Sequence, residues 1–149
     1  MTEEEWLTEH LAEALFCALA DPLSPRKSRL LACACCRRVW SAMTDPSCRH
    51  AVALSEPDSD VEKAFQADLL RDIFGNPFRP VAFDPTRRSE AAVEIAAGIY
   101  EDRAFERMPI LAGALQDAGC DHPDILSHCR EPGTHVRGCW AVDLVMGKE

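Results

Sequence analysis

The stretch SPRKSRLLACACCRRVWSAM, residues 24–43, predicts an amphipathic helix and with it a helical fold. Ser24 is suited to cap a helix N-terminus, and Pro25 fits the first helical position. Apolar side chains then recur at helical spacing, at Leu30, Leu31, Ala34, Cys35, Val39 and Met43. A helix with such a face is stable only when that face packs against other elements, so we expect further helices around it.

Helical spacing recurs in most of the remaining chain. Thr2 and Glu5 have the spacing of a capping box at the start of a helix that we expect to end at Ala20. Further helices are predicted up to Leu54 and over 61–74, 89–103, 109–118, 121–129 and 135–146, the last with a strand as its alternative. We therefore expect an all-α fold, a compact bundle of six or seven short helices in a single domain over residues 1–149. A lobe boundary near 55–60 is compatible with the polar break there.

One segment, GNPFRPVAFDP over residues 75–85, interrupts the helices. Its three prolines disfavour helical geometry at the preceding residues, so we expect an extended connector. In one interpretation the connector wraps the helices and buries Phe78 and Phe83. In the other it is a rigid recognition edge on which Asn76 and Arg79 contact a partner.

Charge and composition exclude some classes of function. The net charge of −9 opposes the phosphate neutralisation that dominates nucleic-acid binding. No apolar run approaches the roughly 20 residues of a membrane span, and the acidic N-terminus is the reverse of a secretory signal. We therefore expect a cytoplasmic protein with reduced thiols.

The basic stretch 26–38, which includes Arg37 and Arg38, fits either a solvated helix face or a docking face for an acidic partner.

The chain contains eight cysteines, namely Cys17, Cys33, Cys35, Cys36, Cys48, Cys120, Cys129 and Cys139. In a reducing compartment they indicate bound metal, a reactive thiol, or small buried side chains. For a reactive thiol the candidates are Cys129 beside His128 and Cys36 beside Arg37, but neither has the spacing of a known catalytic motif.

The C-terminal thirty residues are the richest in metal-ligand side chains. Four of them could form a tetrahedral zinc site, Cys120, His128, His135 and Cys139, with Cys33 or Cys36 as further donors. His135 and Cys139 are four residues apart, so one face of the predicted helix would present both. The alternative is that His122 and His128 are surface residues, that His135 caps a helix, and that Cys129 and Cys139 belong to the core.

Three blocks of sequence carry a resemblance: residues 28–40 (SRLLACACCRRVW), 70–81 (LRDIFGNPFRPV) and 135–149 (HVRGCWAVDLVMGKE). The chain resembles an uncharacterised family of small cysteine-rich proteins from planctomycete bacteria. The resemblance implies a bacterial cytoplasm but no activity, ligand or fold.

From these observations we expect a non-catalytic protein-interaction or adaptor module without a cofactor. Its unknown protein partner would contact Asn76, Phe78 and Arg79, or Arg37 and Arg38. A zinc-binding structural or regulatory domain is the alternative, and a cysteine-dependent or redox enzyme is the third hypothesis.

Overall fold

The computed structural model describes residues 1–19, 24–40 and 60–148. Within these ranges the chain forms eight α-helices and no strand, which confirms the predicted all-α class. The helices are α1 (Glu3–Thr8), α2 (Ala12–Ala18), α3 (Pro25–Trp40), α4 (Asp60–Phe74), α5 (Glu90–Asp102), α6 (Met108–Asp117), α7 (Pro123–Arg130) and α8 (Trp140–Met146). The helix predicted up to Leu54 lies outside the described residues, and so does the boundary predicted near 55–60 except for Asp60. No helix of the described ranges has the length and hydrophobicity needed to cross a bilayer.

The N-terminal segment was predicted as one helix and forms two. The Thr2–Glu5 capping box is present, but α1 ends at Thr8. The carboxylate of Glu9 accepts hydrogen bonds from the backbone N–H groups of His10 and Leu11, both at 2.8 Å. The guanidinium of Arg71 donates to the carbonyls of Trp6 and Glu9, which a continuous helix would have used internally. A distant arginine thus stabilises a break that local spacing does not indicate.

Apolar side chains form two clusters. The larger cluster joins α5, α6, α7 and α8, with Ile99, Leu111, Leu115, Ile125 and Val142 at its centre. The smaller cluster joins α1, α2 and α4, with Trp6, Leu15, Ala67 and Leu70 buried and Leu31 of α3 packed against them. Among the described residues the buried carboxylates are Asp72 on α4 and Asp143 on α8.

Both buried carboxylates connect elements of one cluster with elements of the other. Asp143 forms a two-pronged ion pair with Arg26 of α3, at 2.8 and 3.0 Å. Asp72 contacts His135 and the backbone of Val136, which lie between α7 and α8. Polar contacts therefore hold the two clusters together, and one of these contacts leads to the candidate site.

The connector between α4 and α5 is irregular, as its prolines predict, apart from a single 3₁₀ turn at Pro85–Arg87. Phe83 is half-buried against the larger cluster. Phe78 is 40% exposed, with its ring centroid 6.5 Å from that of Trp6. The connector therefore partly buries Phe83 and leaves Phe78 more exposed.

Candidate metal centre

Asp72 is the centre of a cluster of four potential metal ligands. It lies near the end of α4, among buried apolar neighbours, and its side chain is 3% exposed. The backbone N–H of Val136 donates to its Oδ2 at 2.9 Å, which fixes the orientation of the carboxylate. The other oxygen, Oδ1, faces His135 Nδ1 at 2.7 Å and His128 Nε2 at 3.3 Å.

His128 adds the second nitrogen and brings in a sulfur. It lies on α7, whose N-terminus has Pro123 in the first turn. Its Nε2 is 3.1 Å from Cys139 Sγ as well as 3.3 Å from Asp72 Oδ1. The imidazole packs at 4.9 Å between ring centroids against both His135 and Trp140, so its position is fixed by neighbours on two sides.

His135 and Cys139 reach the site by a route that differs from the prediction. The predicted helix 135–146 begins only at Trp140, so the expectation that one helical face presents both residues is wrong. Instead a turn brings them together, closed by the bond from Cys139 N–H to the carbonyl of Val136 at 2.9 Å. Gly138 in this turn has φ +105°, and a Cβ there would lie 2.7 Å from Leu30. The positive φ therefore favours glycine in this turn, whereas the contact with the terminal methyl of Leu30 could be relieved by a side-chain shift.

Burial and hydrogen bonding set the charge states in the cluster. Burial raises the pKa of Asp72, but hydrogen bonds from His128 and His135 outweigh it and hold the pKa below its usual value of 3.8. Burial also raises the pKa of Cys139 well above its usual value, and the backbone amides of Val142 and Ala141 only partly oppose this. At neutral pH without metal, the cluster therefore contains a carboxylate and a protonated thiol.

The four ligand atoms converge on one point. One oxygen, two ring nitrogens and one sulfur lie within 4.8 Å of one another. In a tetrahedral zinc site with bonds of about 2.0–2.3 Å, the ligand atoms are about 3.3–3.8 Å apart, so small side-chain shifts would suffice. His135 Nε2 is buried and has no hydrogen-bond partner in the described part of the chain.

The arrangement does not have the geometry of a catalytic cysteine. In a nucleophile–histidine–carboxylate relay, opposite ring nitrogens contact the nucleophile and the carboxylate. Here the same Nε2 of His128 faces both Cys139 and Asp72. The sulfur of Cys139 is also fully buried, and burial raises the pKa of Cys129 to about 12. These contacts therefore differ from those of a nucleophile–histidine–carboxylate relay.

Three of the four ligands proposed from the sequence, His128, His135 and Cys139, come together here, and Asp72 takes the place of the fourth. Cys120 is buried in the larger cluster and is not part of the ligand group. The cysteine and histidine pattern of the C-terminal residues does not indicate Asp72 as a ligand. The feature of the sequence that does indicate Asp72 is its position on the apolar face of α4, one residue before Ile73 and three after Leu69, where a carboxylate needs a buried partner. The side chains of Cys33 and Cys36 lie outside the described residues.

The residues proposed for partner binding are partly engaged within the chain. Asn76 donates to Glu3 at 2.9 Å and accepts from the Phe78 backbone, and Arg79 forms an ion pair with Glu3. Arg79 is nevertheless 59% exposed. The side chains of Arg37 and Arg38 lie outside the described residues.

Comparison of the chain with protein-family models, with curated proteins and with solved structures finds no match.

Proposed function

We propose that this protein is a metal-stabilised helical module in which one divalent ion of the zinc class binds Asp72, His128, His135 and Cys139. The convergence of these four ligand atoms within 4.8 Å carries the proposal. The ion would replace the thiol proton of Cys139 and accept one lone pair from each residue at once.

The donor set selects the class of metal. Mg²⁺ and Ca²⁺ bind almost entirely through oxygen, and this cluster offers a single carboxylate. Two imidazoles, one thiolate and one carboxylate suit Zn²⁺, with Co²⁺ as its spectroscopic substitute. Four protein ligands in a buried cluster fit a structural site, because a catalytic zinc keeps one position open for water or substrate.

The position of the site supports a structural role. Asp72 belongs to α4 in the N-terminal half, whereas His128, His135 and Cys139 belong to the C-terminal helices and the turn before α8. An ion bound there would join the two apolar clusters at the point where Asp72 already contacts Val136. Metal binding would then contribute directly to the folding free energy.

Cobalt substitution tests this proposal. We expect the Co²⁺-loaded protein to show visible bands of a tetrahedral ion and a thiolate-to-cobalt charge-transfer band. Replacing Cys139 with alanine should remove the charge-transfer band, whereas Cys129→Ala should retain it, since Cys129 is not in the ligand group. An octahedral spectrum, or a charge-transfer band that survives in Cys139→Ala, would refute the proposed ligand set.

A protein-interaction module is the second candidate function, and the exposure of Phe78 favours it. A phenylalanine that is 40% exposed beside the 59% exposed Arg79 is a combination enriched at protein interfaces. Phe78→Ser should abolish capture of a protein partner by the immobilised module if this surface binds one. The matched control is Ile110→Ser, because Ile110 is 56% exposed on α6, away from the connector. Equal capture by both variants would exclude the connector as the interface.

A further inference from the structure

We propose that the groove beside the candidate metal centre binds a small organic anion with a flat apolar body, held by the ammonium group of Lys27. The groove has a volume of about 760 Å³, within the ~300–1,000 Å³ typical of small-molecule sites. Its lining includes the half-buried Phe74 and Trp140 together with Lys27 and Lys148, and the buried Trp6 lies behind them. Neither lysine belongs to the metal-ligand group, so the charge that holds the anion is separate from the ligands, although His128 also lines the groove.

Lys27 is the charged group on which the proposal depends. It lies in the first turn of α3, where its Nζ donates to the carbonyl of Ile73 at 2.7 Å and lies 5.7 Å from the centroid of the Phe74 ring. No carboxylate of the described residues forms an ion pair with it, so none of its three N–H donors has an anionic partner there, and one of them is used by the neutral carbonyl of Ile73. Burial lowers the pKa of Lys27, with a smaller contribution from Arg26, while Asp143 opposes the shift. An anion in the groove would relieve this desolvated charge.

The other charges of the groove leave it complementary to an anion. Asp143 is already neutralised by Arg26 at 2.8 Å, and Asp124 lies 3.9 Å from the guanidinium of Arg79. Lys148 lies with its Nζ 3.7 Å from the centroid of the Tyr100 ring, and within the described residues it has no ion pair. The charges without an opposite partner are therefore two lysines against the exposed Glu131.

The aromatic side chains that line the groove determine which apolar group of the ligand fits. The indole of Trp140 packs closely against Gly75, where an added Cβ would come within 3.2 Å of the ring, so the groove is lined by the part of the indole that Gly75 leaves uncovered. Flat aromatic surfaces favour planar apolar groups, and one lysine charge favours a single carboxylate or equivalent anion. An aromatic carboxylate is the simplest molecule of this class.

The test is titration of the full chain with benzoate, and with benzamide as the uncharged analogue of the same shape, followed by NMR shifts of the Trp6 and Trp140 indole groups. We expect saturable shifts with benzoate and none with benzamide. Lys27→Met keeps the apolar stem but removes the charge, and it should weaken benzoate binding about tenfold or more. Arg29→Met is the matched control, because Arg29 is an exposed cation of the same helix that does not line the groove. Its effect should stay within about twofold, as expected for a screened surface charge.

Three results would overturn the inference: absence of saturable shifts with benzoate, equal binding of benzamide, or an equal loss of affinity in Lys27→Met and Arg29→Met. If Lys27→Met does not fold, the comparison of benzoate with benzamide on the unaltered protein decides the question by itself.

Discussion

Replacing each of two neighbouring buried cysteines with alanine separates metal binding from packing. Cys139 is 0% exposed and Cys129 is 1% exposed, so both substitutions remove one sulfur atom from an equally buried position. Only Cys139 Sγ is within the ligand group, 3.1 Å from His128 Nε2. We expect similar effects on the metal-free protein and very different effects on metal affinity.

The expected size of the difference follows from the number of ligands. Structural zinc in small domains binds with an apparent free energy of about 10–16 kcal/mol, so an even share for one of four ligands is about 2.5–4 kcal/mol. That share corresponds to a loss of affinity of about two to three orders of magnitude for Cys139→Ala. Removal of one buried heavy atom costs about 1 kcal/mol of folding stability, and this cost applies to both variants.

The assay is competition for Zn²⁺ between each variant and a chromogenic chelator, combined with urea unfolding of the metal-free proteins. Cys129→Ala should keep the zinc affinity of the unaltered protein within a few-fold. If both variants lose affinity equally, the cysteines act through packing and the ligand assignment is wrong. If neither loses affinity, zinc binds elsewhere.

Three further predictions concern the contacts around the site. Arg26→Met should destabilise the metal-free protein by about 3 kcal/mol in urea unfolding, because it leaves the Asp143 carboxylate buried without its partner. Adding Asp143→Leu should restore most of the lost stability, and additive losses would contradict the ion-pair account. In metal-free protein kept in chelator, the contacts of the Asp72 carboxylate stabilise the fold above pH 3.8, and this contribution should be lost as the pH falls through the lower folded-state pKa of Asp72. Asp72→Asn should therefore weaken the fall of the unfolding free energy at acidic pH, and an unchanged fall would exclude Asp72 as its source. Gly75→Ala should lower the free energy of unfolding by about 1–2 kcal/mol, because Gly75 has a φ of +69° and packs against the indole of Trp140. Gly113→Ala, at an open position within α6, should raise the free energy of unfolding by about 0.5–1 kcal/mol, and effects of the same sign would contradict these backbone assignments.

Much of the fold was predictable from the sequence because most of its helices have local signals. Ser89 caps α5, Pro25 and Pro123 occupy first turns, and Gly119 follows α6 with φ +82°. These features depend on residues close in sequence. The failures involve residues distant in sequence. The break after Thr8 depends on Arg71, and the late start of α8 depends on a turn whose Gly138 contacts Leu30.

The candidate site was partly predictable for the same reason. His128, His135 and Cys139 lie within a short stretch whose composition indicates metal ligands, whereas Asp72 lies 56 residues before His128. Spacing along the chain carries no information about such a partner when the intervening connector is irregular. A carboxylate within an apolar helix face indicates a buried partner, but the sequence does not identify which one.

The metal content of the native protein, purified without chelators and equilibrated against zinc in excess Mg²⁺, is the most direct test. We predict one zinc ion for each folded chain, and a fraction of that in a variant with Asp72, His128 and His135 replaced together by alanine. A chain that folds fully with no bound zinc, or that binds as much zinc without these three side chains, would contradict the account.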